Sequence, residues 1–169
     1  MRVCTDRCFS MSRFITRFAD VVKIPEPHLV PVNLNDLVFS CKRFMEGMCA
    51  DRNITITLDI DEELGEVKLD VALFEQVLVN IIKNAAESIE QNGEIKIRTY
   101  SPGGIEVADN GKGITKETEA KLFSPFFSTK PNGQGIGLIF IREVLMRHGC
   151  SFSLRTYTDG WTRFRMLFN

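Results

Sequence analysis

Between Asp70 and Gln91 the chain reads DVALFEQVLVNIIKNAAESIEQ, and its apolar residues Leu73, Phe74, Val77, Leu78, Ile81, Ile82, Ala85, Ala86 and Ile89 keep helical spacing throughout. A helix with so continuous a stripe must bury it against another layer. Strand patterns nearby supply that layer. Ile54, Ile56, Leu58 and Ile60 alternate in ITITLDI, GEVKL is a second short strand, and GEIKIRTYSPGGIEVADNG gives strands Glu94 to Tyr100 and Ile105 to Asp109 about a turn at Pro102, Gly103 and Gly104. The C-terminal segment is a hairpin, with Phe152, Leu154 and Thr156 on one arm, Asp159-Gly160 at the turn and Phe164, Met166 and Phe168 on the other. Strands joined by tight turns run antiparallel, so the expected class is α+β: a two-layer sandwich with helices on one face of a mixed, mostly antiparallel sheet.

Two further helices flank this unit. In NLNDLVFSCKRFMEGMCADRN either Asn33 or Asn35 can cap, Leu37, Val38, Cys41, Phe44, Met45 and Met48 form the stripe, and Asn53 ends it. The other runs from the glycines after Gln134 to about His148, where Gly149 is a stop signal. Upstream, Met11, Phe14, Ile15, Phe18, Val21 and Val22 mark a separate amphipathic helix, and PEPHLVP reads as a linker because its prolines cannot continue a helix. An isolated amphipathic helix needs a partner: a helix of a second copy, a helix upstream, or the main body.

A chain of 169 residues suits one principal domain. Its formal net charge of -1 offers no sequence-wide attraction to nucleic acid or an anionic membrane, so a polyanion must be met by a local site. No apolar run reaches the roughly 20 residues of a membrane helix, and MRVCTDRCFS lacks a signal-peptide centre. The expectation is a cytoplasmic domain. Five cysteines fit reduced thiols better than a disulfide framework, and Cys4 and Cys8 have no neighbouring histidine to complete a metal site.

Three stretches carry chemistry. Asn80, Lys83, Asn84 and Glu87 share one helical face beside the apolar stripe, where the asparagine carbonyls suit a hard cation and Lys83 a phosphate; the same strip also reads as a plain solvent face. VADNGKGI ends a strand with Asp109, whose carboxylate can accept from an exocyclic amine, while Gly111 and Gly113 permit close backbone approach; a strand-ending turn would use the same residues. In TKPNGQGIGL, Gly133, Gly135 and Gly137 lead into a helix whose free N–H groups suit phosphate, though the stretch is neither a Walker A loop nor a dinucleotide fingerprint.

Taken in order, NIIKNAA, DNGKG, LFSPFFSTK and GQGIGL resemble the N, G1, F and G2 boxes of sensor histidine kinase ATP-binding domains, which share the Bergerat-type fold with gyrase, heat-shock chaperone and mismatch-repair ATPases. The resemblance spans about Val32 to Asn169, and PFFSTK is similar to the kinases in particular. It implies a Bergerat sandwich at 32–169, preceded at 1–31 by the remnant of a dimerisation helix and its linker. It implies ATP and Mg²⁺ as cofactors. Asn84 resembles the metal-holding asparagine, with Asn80 and Lys83 near phosphate, and Asp109 the reader of the adenine amine, with Gly111, Gly113 and Ile114 as pocket neighbours. Phe123, Phe126 and Phe127 resemble the F box that orders an ATP lid, with Ser128, Thr129 and Lys130 beyond it. Gly133, Gln134, Gly135, Ile136, Gly137 and Leu138 resemble the end of that lid, whose backbone amides meet phosphate.

No phosphoacceptor histidine is recognisable: His28 sits among prolines and His148 at a helix end. The resemblance therefore implies a fragment of a longer kinase, homodimeric in full, whose acceptor lies upstream on a dimerisation domain and whose phosphoryl group passes to a response regulator receiver domain. Asn80, Lys83 and Lys130 are its candidate contacts to the transferring phosphate. The alternatives are a non-catalytic nucleotide sensor and a protein-serine kinase of the anti-sigma type. The parent protein can be membrane-anchored or free, and no nucleic-acid partner is implied.

Overall fold

The computed structural model describes residues 24–123 and 137–169. The N-terminal helix expected over Met11 to Val22 lies outside the described residues.

Helix α1 (Leu34–Asp51) starts at Asn33, whose side chain accepts from the Asn35 and Asp36 N–H groups at 2.9 and 3.2 Å. This decides between the two asparagines. Asn35 is instead buried, donating to the Asp61 carbonyl at 2.9 Å and accepting from the Thr99 hydroxyl at 2.7 Å. Helix α2 (Val71–Ile89) is capped by Asp70, which accepts from the Leu73 N–H at 3.1 Å. Helix α3 (Lys116–Glu119) is a single turn, and α4 (Gly137–Arg147) ends shortly before Gly149, which adopts φ +71°.

Seven strands complete the described fold: β1 (Val30–Asn33), β2 (Ile54–Asp59), β3 (Glu66–Leu69), β4 (Gly93–Tyr100), β5 (Gly104–Asp109), β6 (Ser151–Thr156) and β7 (Thr162–Leu167). The main sheet has the order β2-β4-β5-β7-β6, with β2 parallel to β4 and every other pair antiparallel. The mixed sheet of the expected sandwich is thus realised. A departure is β1, formed from the end of the proline stretch and paired antiparallel with β3 in a separate two-stranded sheet. Pro31 lacks an N–H, and an edge position in such a small sheet tolerates that loss.

All three longer helices pack on one face of the five-stranded sheet. Phe74, Leu78 and Ile82 of α2, Leu34 and Val38 of α1 and Ile141 and Leu145 of α4 meet Ile95, Ile97, Ile105 and Met166 from the strands, each of them almost wholly buried. Phe44 is the exception in the stripe read for α1: it lies at the edge of that stripe and is 74% exposed. Cys41, Cys49 and Cys150 are free and buried; burial pushes the Cys150 thiol up to about 12, and burial with the Glu75 charge pushes Cys41 up to about 11, so neither is a nucleophile. Among the described residues no helix is long and apolar enough to cross a membrane.

The opposite face of the sheet is held by charge and ring contacts. Glu106 on β5 accepts from Arg165 Nε at 2.6 Å, with Arg98 and Arg163 at 3.6 and 3.9 Å. Cations lie over Tyr100, Tyr157 and Trp161, the two tyrosines and one tryptophan of the whole chain.

Phe74 anchors the interior, fully buried with its ring 5.0 Å from Phe168 and 5.7 Å from His148. Phe74→Ala should lower the unfolding free energy by about 3–5 kcal/mol in urea titrations followed by circular dichroism, because a cavity replaces the ring at the hub of the core.

Candidate functional site

The polar strip of α2 lies beside its buried stripe. Lys83 is exposed, while Asn80, Asn84 and Glu87 are half-buried. One turn beyond Asn84, at the same i+4 spacing, Ser88 extends the line Asn80, Asn84, Ser88 towards the helix end. Ser88 lies near the tip of the strand system, where its side chain helps hold down the titration of Asp109, the last residue of β5.

Asp109 is 5% exposed and faces the helical layer, in register with Ile95 on β4 and Thr162 on β7. Its Oδ1 also accepts from the Gly111 N–H at 2.9 Å. Burial pushes this carboxyl up to about 6, and the Gly111 and Ser88 donors hold it from rising further. At neutral pH it is mainly ionised, in a place where a negative charge is costly.

The turn after Asp109 is seated directly on α2. The Lys112 N–H donates to the Ser88 carbonyl at 3.2 Å, and a Cβ added at Gly111 would lie 2.4 Å from Ser88 Oγ and 2.8 Å from the Ile89 nitrogen. Gly111 thus serves an approach of backbone to helix. On its other side the turn is clamped by the C-terminal hairpin. Gly113 has φ +79°, the Ile114 N–H donates to Thr156 Oγ1 at 2.8 Å, and Thr156 Oγ1 lies 2.7 Å from Thr162 Oγ1. The Thr156 N–H in turn donates to Glu119 Oε2 at 3.2 Å, tying α3 to β6.

Phe123 is half-buried and meets Phe152 and Phe164 edge to face at 5.4 and 6.3 Å, so the first ring of the phenylalanine cluster is fixed to the terminal hairpin. Gly137 opens α4 with nothing within 4 Å of an added Cβ, and Leu138 packs partly on the core. Phe126, Phe127, Ser128, Thr129, Lys130, Gly133, Gln134, Gly135 and Ile136 lie outside the described residues. A groove of about 660 Å³ between α1 and α2, lined by Cys41, Phe44, Gln76 and Val79 among others, reaches Asn80. Among the described residues no cluster of three or more His, Cys, Asp or Glu could hold a metal ion; an asparagine site would fall outside that description.

Asn84, Asp109, Gly111, Gly113 and Ile114 are therefore gathered where the end of α2 meets the tip of β5. Sequence reading missed Ser88, Thr156 and Thr162. Ser88 had a signal, being the next rung after Asn84, whereas the threonines looked like ordinary strand residues.

The sequence profile of the family described as histidine kinase-, DNA gyrase B-, and HSP90-like ATPase matches residues 69–169, a span that holds α2, the Asp109 turn and the terminal hairpin. The chain belongs to this ATPase family. Within it the similarity is to sensor kinases. Sensor histidine kinase ZraS of Salmonella typhimurium is 28% identical over 150 residues, which cover 86% of this chain and 32% of that protein. The chain thus spans about a third of that relative. The catalytic domain of histidine kinase ThkA superposes with a TM-score of 0.75 at 30% identity, covering 83% of this chain and 95% of that one. ThkA in complex with the response regulator protein TrrA gives 0.73 at 26% identity, over 96% of this chain and 49% of that one. The fold is that of the kinase ATP-binding catalytic domain.

Asp109 carries a cost to the free ATPase-family domain. An ordinary aspartate loses its proton near pH 4, whereas folded Asp109 keeps it to about 6, so between these values the native state binds more protons and stability falls as pH rises. Asp109→Asn should remove this slope. Urea unfolding should find the nucleotide-free variant about 2–3 kcal/mol more stable than the parent near pH 7 and no more stable near pH 4.

Proposed function

We propose that residues 32–169 are the ATP- and Mg²⁺-binding catalytic domain of a two-component sensor histidine kinase, and that residues 1–31 are the end of its dimerisation hairpin with the following linker. The observation that carries this reading is the buried Asp109 carboxylate at the tip of β5, seated on the last turn of the helix that bears Asn80 and Asn84.

The donor set fits the nucleotide. A buried carboxylate with spare acceptor capacity suits the adenine amine, and a base lacking that donor would leave Asp109 unpaired, so adenine is favoured over guanine. The half-buried Asn84, with Asn80 one turn earlier, offers the neutral oxygen that a hard, mostly hydrated Mg²⁺ accepts. When bound, ATP supplies the γ-phosphoryl group and Mg²⁺ neutralises its charge. Lys83, exposed on the same helix, and Lys130 are the cationic contacts to the phosphates. Gly111, Gly113 and Ile114 shape the base pocket, and Phe127, Thr129, Gly133, Gln134, Gly135, Ile136, Gly137 and Leu138 the lid.

An asparagine at position 80 cannot take a proton at neutral pH, so hydrolysis of ATP by water is slow and transfer to a better nucleophile is favoured. That nucleophile is a histidine outside this chain. Its ring nitrogen forms the new bond to phosphorus as the bond to the bridging oxygen of ADP breaks. His148 is unsuited to the role: Nδ1 bonds to the Val144 carbonyl at 2.8 Å and Nε2 accepts from the Asp70 N–H at 3.0 Å. The partners are the acceptor domain of a homodimeric parent and the receiver domain of a response regulator, as ThkA's complex with TrrA supports. The domain acts in the cytoplasm, whether its parent is anchored in a membrane or not.

Calorimetry with ATP and Mg²⁺ should detect binding, and Asp109→Asn should weaken it about tenfold or more, a loss of about 1.4 kcal/mol or greater. Mixing the domain with a dimerisation hairpin bearing the acceptor and radiolabelled ATP should give an acid-labile label on histidine. Acid-stable label on a partner serine, or binding without transfer, would contradict the kinase reading.

A further inference from the structure

On the face of the sheet that meets the helices, the pairing of β4, β5, β7 and β6 lines residues up in rows across the strands. Two rows are apolar but for Thr99: Ile97, Val107, Phe164 and Leu154 form one, and Thr99, Ile105, Met166 and Phe152 the other. The row at the Asp109 end differs. It runs Ile95, Asp109, Thr162, Thr156, which sets three polar residues side by side on three neighbouring strands, with Asp109 and Thr162 buried.

Thr156 is where this row meets the turn that follows Asp109. Its Oγ1 accepts from the Ile114 N–H at 2.8 Å and lies 2.7 Å from Thr162 Oγ1; a hydroxyl with two lone pairs and one proton can serve both contacts. Gly113, at φ +79°, rests on the same side chain, since an added Cβ would lie 3.2 Å from both Oγ1 and Cγ2 of Thr156. Thr156 is held in turn from α3, its backbone N–H donating to Glu119 Oε2 at 3.2 Å. The near end of the turn is fixed on α2 through Gly111 and Lys112, and Thr156 fixes the far end.

We propose that Thr156 is a positioning residue for the base pocket: by holding the Ile114 N–H, its hydroxyl sets Gly113 and Ile114 at a fixed separation from the Asp109 carboxylate, with Thr162 between them. This rests on the reading of Asp109 and Ile114 as neighbours of adenine. Without the hydroxyl the part-buried Ile114 N–H loses its acceptor and turns towards water, drawing the pocket wall off the base. A glycine at 113 adds no side chain that would resist the movement.

The test compares the intact parent chain with Thr156→Val, which removes the hydroxyl but keeps a branched strand residue, and Thr156→Ser, which keeps the hydroxyl. Amide hydrogen exchange followed by NMR without nucleotide should find the Ile114 N–H about tenfold or more faster in Thr156→Val, with the Ile97 N–H in the middle of β4 unchanged. Calorimetry with ATP and Mg²⁺ should find Thr156→Val binding about three- to tenfold more weakly and Thr156→Ser restored to within about twofold of the parent. Thr156→Ala, a second variant without the hydroxyl, should behave as Thr156→Val does. An unmoved Ile114 exchange, an equal acceleration at Ile97, parental affinity in both hydroxyl-free variants, or a serine variant as weak as the valine one would each overturn the proposal. Failure of the underlying reading looks different: the parent itself then binds no ATP, or Asp109→Asn binds as the parent does, while the exchange arm still reports on the Thr156 contact.

Discussion

The last turn of α2 lies so close under the tip of β5 that a single added carbon at Gly111 would sit 2.4 Å from Ser88 Oγ. This contact fixes the height and rotation of the helix over the sheet. Because α2 is rigid and continuous, fixing its end also fixes Asn84 one turn back and Asn80 two turns back. The same contact sets Asp109, whose carboxylate accepts from the Gly111 N–H of its own turn at 2.9 Å. The residues proposed to read the base and to hold the metal are therefore carried by one rigid unit.

Burial has opposite meanings on the two sides of β5. Towards the helices, Ile105 and Val107 are buried and gain from it, whereas Asp109 is buried at a cost that its neutral polar neighbours only partly offset. On the open side Glu106 is also buried, but three guanidiniums surround it. A carboxylate matched by neighbouring cations is part of the scaffold. One matched only by neutral donors retains acceptor capacity for a ligand, and this difference separates the candidate site from the rest of the sheet.

Much of this was legible in the chain. Helix α2 declared itself because nine apolar residues at helical spacing leave no other fold, and the terminal hairpin because its arms alternate about Asp159-Gly160. The order of four short boxes pointed to the ATPase family, as the match over residues 69–169 shows. Other features were not legible. Phe44 fits the α1 stripe on a helical wheel but stands 74% exposed, since no element covers that edge among the described residues. The proline stretch contributes β1 because β3, more than thirty positions away in sequence, offers it an edge. Thr156 and Thr162 resembled any polar strand residues until the hairpin brought them under Ile114.

The sequence by itself determined the elements, the apolar faces they bury and the residue types able to hold a nucleotide and a cation, because periodicity and capping act over a few neighbouring residues. Tertiary structure decided which of those residues meet: the parallel pairing of β2 with β4, the choice of Asn33 over Asn35 as cap, and the seating of the Gly111 turn on Ser88. Such contacts link positions far apart along the chain. Their selection depends on how whole layers pack, and no local pattern encodes that.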